Sequence, residues 1–114
     1  MKVGDLELVE VVLRAAVFPV VSCYGAAVVD GGTDSGVMRA LGQAHAHADS
    51  RFPLIGVAVE RMVDIPGQPE PAVAESAVIE PHHTHIVLVP GISWGDESPW
   101  LHDVASVIAD ASAR

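Results

Sequence analysis

Two glycine-bearing stretches carry the residue types that hold small anions and sugars. The first is Asp30-Gly31-Gly32-Thr33-Asp34-Ser35-Gly36-Val37-Met38. Glycines let the chain turn sharply and let backbone approach a ligand closely. A helix start presents free N–H groups at the positive end of its dipole, and Thr33 and Ser35 add hydroxyls. Together these residues make a cradle for phosphate or carboxylate. The plainer alternative is a tight turn in which Asp34 or Ser35 caps the helix. The second stretch is Pro90-Gly91-Ile92-Ser93-Trp94-Gly95-Asp96-Glu97-Ser98. Here Trp94 could stack on a base or ribose, and Glu97 could bind hydroxyls or act as an acid or base. Its plainer alternative is a connector with Trp94 packed on the surface and Asp96 or Ser98 capping.

Each stretch sits between an apolar run and helical periodicity. Ala26-Ala27-Val28-Val29 precedes the first, and Val37, Met38, Leu41, Ala44, His45 and Ala48 recur at helical spacing after it. Pro53-Leu54-Ile55-Gly56-Val57-Ala58-Val59 follows as a second strand, so residues 26–59 read as a strand–helix–strand unit with parallel strands. Ile86-Val87-Leu88-Val89 is a third strand. Ser98 is the candidate N-cap and Pro99 the first residue of a last helix, with Trp100, Leu101, Val104, Ala105, Ile108 and Ala111 as its buried stripe. Ahead of all these, Asp5 to Val17 reads as an amphipathic helix that Pro19 kinks or ends. Continuously apolar strands suit a parallel sheet buried on both faces. The expected architecture is a three-layer α/β domain spanning residues 1–114. Ligands of such sheets bind beyond the carboxyl ends of the strands, where both glycine stretches fall.

Composition narrows the function classes. The chain has 114 residues, half of them apolar, with six Lys+Arg against fifteen Asp+Glu and a net charge of −9. Such an acidic chain is a poor partner for DNA, RNA or anionic membrane surfaces, yet a small anion can still be held by backbone N–H groups. The longest apolar stretch, Ala15 to Val29, is interrupted by Pro19, Ser22 and Gly25 and is too short to span a bilayer. An acidic N-terminal segment does not resemble a signal peptide, so a cytoplasmic protein is expected. Cys23, the single cysteine, lies in an apolar stretch and is expected to be a buried thiol.

The remaining polar residues read more plainly. His82, His83 and His85 are expected to be loop and strand-end histidines near the ligand. No metal site is expected, because no nearby residues complete a ligand set. His45 and His47 point to different sides of a helix, one at the core boundary and one exposed. Met38 reads as core packing. The acidic residues 70, 75 and 80 read as the solvated face of an irregular segment, residues 60–84, in which Ile65 to Pro71 can be neither helix interior nor central strand.

The motifs carry a resemblance. Gly31-Gly32-Thr33-Asp34-Ser35-Gly36-Val37-Met38 is similar to the G-G-G/T-x-x-G-x-M signature of the SLOG superfamily, and Pro90-Gly91 with Glu97 is similar to its second motif, P-G-G-x-G-T-x-E. Asp30-Gly31-Gly32-Thr33, His83-Thr84-His85 and Gly95-Asp96-Glu97 resemble most closely the TRPM-type branch with its stand-alone prokaryotic members (LSDAT). The "lonely guy" (LOG) phosphoribohydrolases are more distant. The resemblance runs from about Val9 to Ala109. It implies a Rossmann-like fold binding a nucleotide derivative, with ADP-ribose- or NAD-like molecules as leading candidates and no separate cofactor. The implied ligand residues are Gly31, Gly32, Thr33, Asp34, Ser35 and Gly36 in the first loop, Gly91, Ser93, Trp94, Gly95, Asp96 and Glu97 in the second, and His85.

Three departures from the family pattern stand out. The chain reaches its first helix without the strand that members usually place first, so the sheet is expected to be short of that strand. Trp94 stands where a glycine is usual and Gly95 where a threonine is usual. The catalytic arginine of LOG-type enzymes has no counterpart, since no Lys or Arg lies between Arg61 and Arg114. A ligand sensor is therefore favoured over an enzyme. The alternatives are a nucleotide N-glycosidase using Glu97 as its catalytic group, and a degenerate, interaction-only domain. A homodimer is plausible, because the sheet is short of a strand and LOG-like proteins self-associate.

Overall fold

The structure is a computed structural model describing residues 3–65, 67–69 and 76–113. Three parallel strands form its sheet: β1 (Val28–Asp30), β2 (Leu54–Val59) and β5 (His85–Val89), in the order β1-β2-β5. Val28 pairs with Leu54, Asp30 with Gly56, and Ile55 to Val59 with His85 to Val89. The central strand β2 is buried at every position except the half-buried Ile55, as expected of a continuously apolar run covered on both faces.

Alternation along β2 divides the core in two. On one face Leu54 packs with Phe18, Leu41, Ala44 and Phe52 beneath helices α1 (Val3–Val12), α2 (Phe18–Cys23) and α3 (Gly36–His47). On the other, Val57 and Val59 pack with Met62, Val89, Leu101 and Val104 beneath helix α4 (Ser98–Ala113). Helices on both faces of a mainly parallel sheet make the three-layer α/β arrangement of a Rossmann-like domain.

One expectation is narrowed in the first helix and another is corrected. Of the two readings of Pro19, a kink or an end, the end fails, because a π-helical turn over Leu13–Val17 joins α1 to α2. The Phe18 N–H reaches back to the Leu13 carbonyl, and the widened turn makes room just ahead of the proline ring. Cys23 is exposed at the end of α2, on the side turned away from Phe18 and Val21, which face the core. That outer side also leaves Leu8, Val11, Val12 and Val20 more than half exposed. The two helical histidines fall as expected. His45 is buried against Phe18 and Phe52 and donates to the Phe52 carbonyl, while His47 is exposed and pairs with Glu10.

The irregular segment contributes a 3₁₀ turn (Glu60–Met62) and two short strands, β3 (Val63–Asp64) and β4 (Ala77–Val78), paired in parallel. Pro66 and residues 70–75 fall outside the described residues, and with them the expected solvated acids at 70 and 75.

Gly56 lies where the loop after β1 crosses β2. A Cβ there would stand 2.5 Å from the Gly32 Cα and 2.8 Å from the Ile86 side chain. Gly56→Ala is expected to cost about 1–3 kcal/mol as overpacking against backbone. At roughly 4 °C per kcal/mol, thermal unfolding should show a Tm lower by several degrees. An unchanged Tm would show that strand and loop do not meet here.

Candidate functional site

The two glycine loops leave the sheet toward opposite faces, the first into α3 and the second into α4. Gly32 takes φ of +73° and rests on Gly56. Gly91 rests beside the Val59 side chain, where an added Cβ would be 3.1 Å away. Three residue steps along β2, about 10 Å of strand, separate these points. An open cleft of about 390 Å³ lies beside the second loop, lined by Glu60, Arg61, Val89, Pro90 and Gly91. Residues of the first loop are not among its lining.

The first loop is held mainly by backbone. Gly32 donates its N–H to Asp30 Oδ1 at 2.9 Å. The segment after β4 lies antiparallel against it: Asp34 donates to the Val78 carbonyl at 2.7 Å, and Glu80 donates to the Gly32 carbonyl at 2.9 Å. Thr33 is buried, its hydroxyl 3.7 Å from the Met38 sulfur, and Met38 also closes over Gly31. Asp34 does not cap the helix through its side chain. Its carboxylate and carbonyl instead bind Arg39, at 2.8 and 2.6 Å. Ser35 occupies the N-cap position of α3 in an extended conformation, exposed, and makes no side-chain cap bond. The first turn of α3 is thus open on the Ser35–Gly36 side.

The second loop is braced by its own acids. Asp96 Oδ2 accepts the N–H groups of Ile92 at 2.8 Å and Ser93 at 3.1 Å. Those two backbone bonds hold the Asp96 carboxyl below its ordinary pKa. Glu97 accepts the Gly95 N–H at 2.8 Å, and Gly95 takes φ of +100°. Trp94 is 41% exposed. Helix α4 begins at Ser98, and the Leu101 N–H bonds the Glu97 carbonyl, so Glu97 stands in the capping position expected for Ser98. His85 opens β5 at its amino end, paired with Ile55 and 2.8 Å from Thr84 Oγ1. It stands at the end of the strand away from Gly91.

Beneath the first loop the reading of Glu80 as a solvated acid fails. Glu80 is 1% exposed. Its carboxylate fits under α3 because Gly42 has no side chain: a Cβ there would fall 2.0 Å from Glu80 Oε1. The carboxylate accepts the His82 backbone N–H at 2.5 Å and lies 2.8 Å from His82 Nδ1. The His83 ring is fully buried. Its Nδ1 lies 3.1 Å from Glu80 Oε1, and its Nε2 lies 2.6 and 2.8 Å from the Asp30 oxygens. Burial alone disfavours a charged ring, but hydrogen bonding and attraction from Asp30, then Glu80, outweigh it, and the His83 pKa is raised. When protonated, the ring has an N–H donor for the carboxylate on each side.

A family model described as "SLOG in TRPM, prokaryote" matches residues 1–114. The chain belongs to that family. No curated protein matches the sequence. For this SLOG domain the family gives a nucleotide-related ligand-binding role at the family level. No helix among its described residues is long and apolar enough to cross a membrane.

The sequence reading placed Glu80 on a solvated face and His83 in a loop near the ligand without joining them, and it gave no part to Gly42 or to Arg61 of the cleft. The signals were present but weak: a glycine inside a helix, an acid three residues before a histidine, and an arginine just past a buried strand.

A raised His83 pKa stabilises the fold fully below the unfolded value of 6.5. That contribution is lost as pH rises through the raised pKa. Urea unfolding of the SLOG domain is expected to give a midpoint that declines from about pH 6.5 up to the raised pKa and levels off above it. In His83→Gln the midpoint should be lower and flat across the same range. A wild-type midpoint that rises with pH there would contradict the imidazolium.

Proposed function

We propose that this single domain binds a nucleotide-derived small molecule, an ADP-ribose- or NAD-like diphosphate, at the carboxyl ends of β1 and β5. The observation that carries the reading is the open first turn of α3. Ser35 and Gly36 stand at a helix start with no side-chain cap, at the end of a loop in which Gly32, Thr33 and Asp34 are already bonded. A phosphate is the natural partner for that turn, because the N–H groups and dipole favour an anion. Ser35 and the Gly36 amide face the phosphate, while Gly31, Gly32 and Thr33 shape the loop from below. Arg61, in the cleft beside Gly91, brings a positive charge to the second phosphate. Trp94 borders the base, and Glu97 and Ser93 take ribose hydroxyls.

The reading is one of a sensor in the cytoplasm rather than an enzyme. Self-association belongs to it, with the exposed Leu8, Val11, Val12 and Val20 side of the first helix available to a second copy.

Thermal unfolding against ADP-ribose, NAD and AMP tests the reading. A ligand at about 100 times its Kd adds roughly 2.7 kcal/mol, or around 10 °C at about 4 °C per kcal/mol. The shift is expected with a diphosphate and should be reduced in Ser35→Ala and Arg61→Ala. A cooperative melt that no nucleotide moves would contradict binding. Release of free base, lost in Glu97→Gln, would assign turnover instead.

A further inference from the structure

The buried ionic cluster and the first glycine loop form one closed circuit. From β1, Asp30 accepts both the Gly32 N–H and the His83 ring. After β4, the Glu80 backbone donates to the Gly32 carbonyl while its carboxylate meets the other side of the same ring. The turn that follows places His82 against the outer oxygen of Glu80. Helix α3 presents Gly42 to Glu80, and its Arg39 is turned to Asp34. At the start of β5, Thr84 bonds Leu54 and His85 bonds Thr84. Among the described residues no Lys or Arg enters the circuit, so the two carboxylates meet through His83.

We propose that Glu80 and His83 are positioning residues for the ligand loop: through Asp30 they fix the Gly31–Gly32 backbone in the form that accepts a ligand phosphate, and loop and circuit change together. This rests on the reading that the loop holds a phosphate. The coupling follows from hydrogen-bond chemistry. A neutral ring has one donor and one acceptor, so one ring nitrogen must then turn a lone pair toward a carboxylate. Asp30 is the partner able to move, being 10% exposed against 1% for Glu80. When it turns, the Gly32 N–H loses its acceptor and the loop its shape. Phosphate affinity therefore falls as pH rises through the titration of His83, by up to about tenfold per pH unit beyond it.

The test is a ¹⁵N NMR titration of the whole chain from about pH 5.5 to about pH 9. It follows the His83 ring nitrogens and the Gly32 amide, with ADP-ribose affinity measured calorimetrically at the same pH values. The ring and the Gly32 amide are expected to share one midpoint above 6.5, with affinity falling beyond it. Asp30→Asn keeps an acceptor for Gly32 but removes the charge, so there the amide should stop following the ring. A Gly32 amide that stays flat while His83 titrates overturns the proposal, as does ADP-ribose binding with the same affinity across the titration. If ADP-ribose does not bind at any pH while amide and ring still move together, the ligand reading falls and the positioning role with it, and only the coupling of His83 to the Gly32 backbone stands.

Discussion

A carboxylate enclosed beneath a helix is tolerable only if its charge is met inside the fold, since an unpaired buried ion costs several kcal/mol or more. Glu80 sets that condition, and the surrounding structure answers it. Gly42 gives up its side chain to make the space, though glycine inside a helix costs about 1 kcal/mol relative to alanine. His83 supplies the opposing charge from a fully buried ring. Asp30 balances the far side of that ring and, with its remaining capacity, holds the Gly32 amide. Gly32 then rests on Gly56, where only two glycines can meet so closely. A chain of contacts thus runs from the middle of α3 to the floor of the first glycine loop.

That chain explains why the two glycine loops differ in build. The second is braced by its own acids, because Asp96 and Glu97 accept its own amides. The first depends on residues far along the sequence: Val78 and Glu80 on its backbone, His83 on its acidic anchor. The family's nucleotide-related role and the open start of α3 point the same way.

Much of the frame was legible because it follows from local pattern. Val28, Leu54 to Val59 and Ile86 to Val89 are apolar without alternation, which suits strands covered on both faces; the central strand fulfils this at every position but Ile55, while β5 leaves Leu88 exposed. The glycine motifs fell at the carboxyl ends of strands for the same reason. What escaped was long-range. Glu80 looks solvated beside residues 70 and 75, and nothing near it announces that Gly42, almost forty residues earlier, leaves a space for its carboxylate. Pro19 marks a helix end on propensity alone, but a π-helical turn absorbs it. Cys23 stands in an apolar stretch, yet helical spacing turns it away from Phe18 and Val21. The Ser98 and Glu97 capping positions differ by one residue, which local pattern does not separate.

The most direct measurement is a double-mutant cycle on Glu80→Gln and His83→Asn, with unfolding free energies taken below pH 6.5, where the ring is charged. Partners in one buried ionic circuit should couple by about 1–3 kcal/mol, and the coupling should shrink as His83 loses its proton. Effects that add to within about 0.5 kcal/mol at both ends of the pH range would mean that the two residues do not act on each other, and that the first glycine loop is held in place by something else.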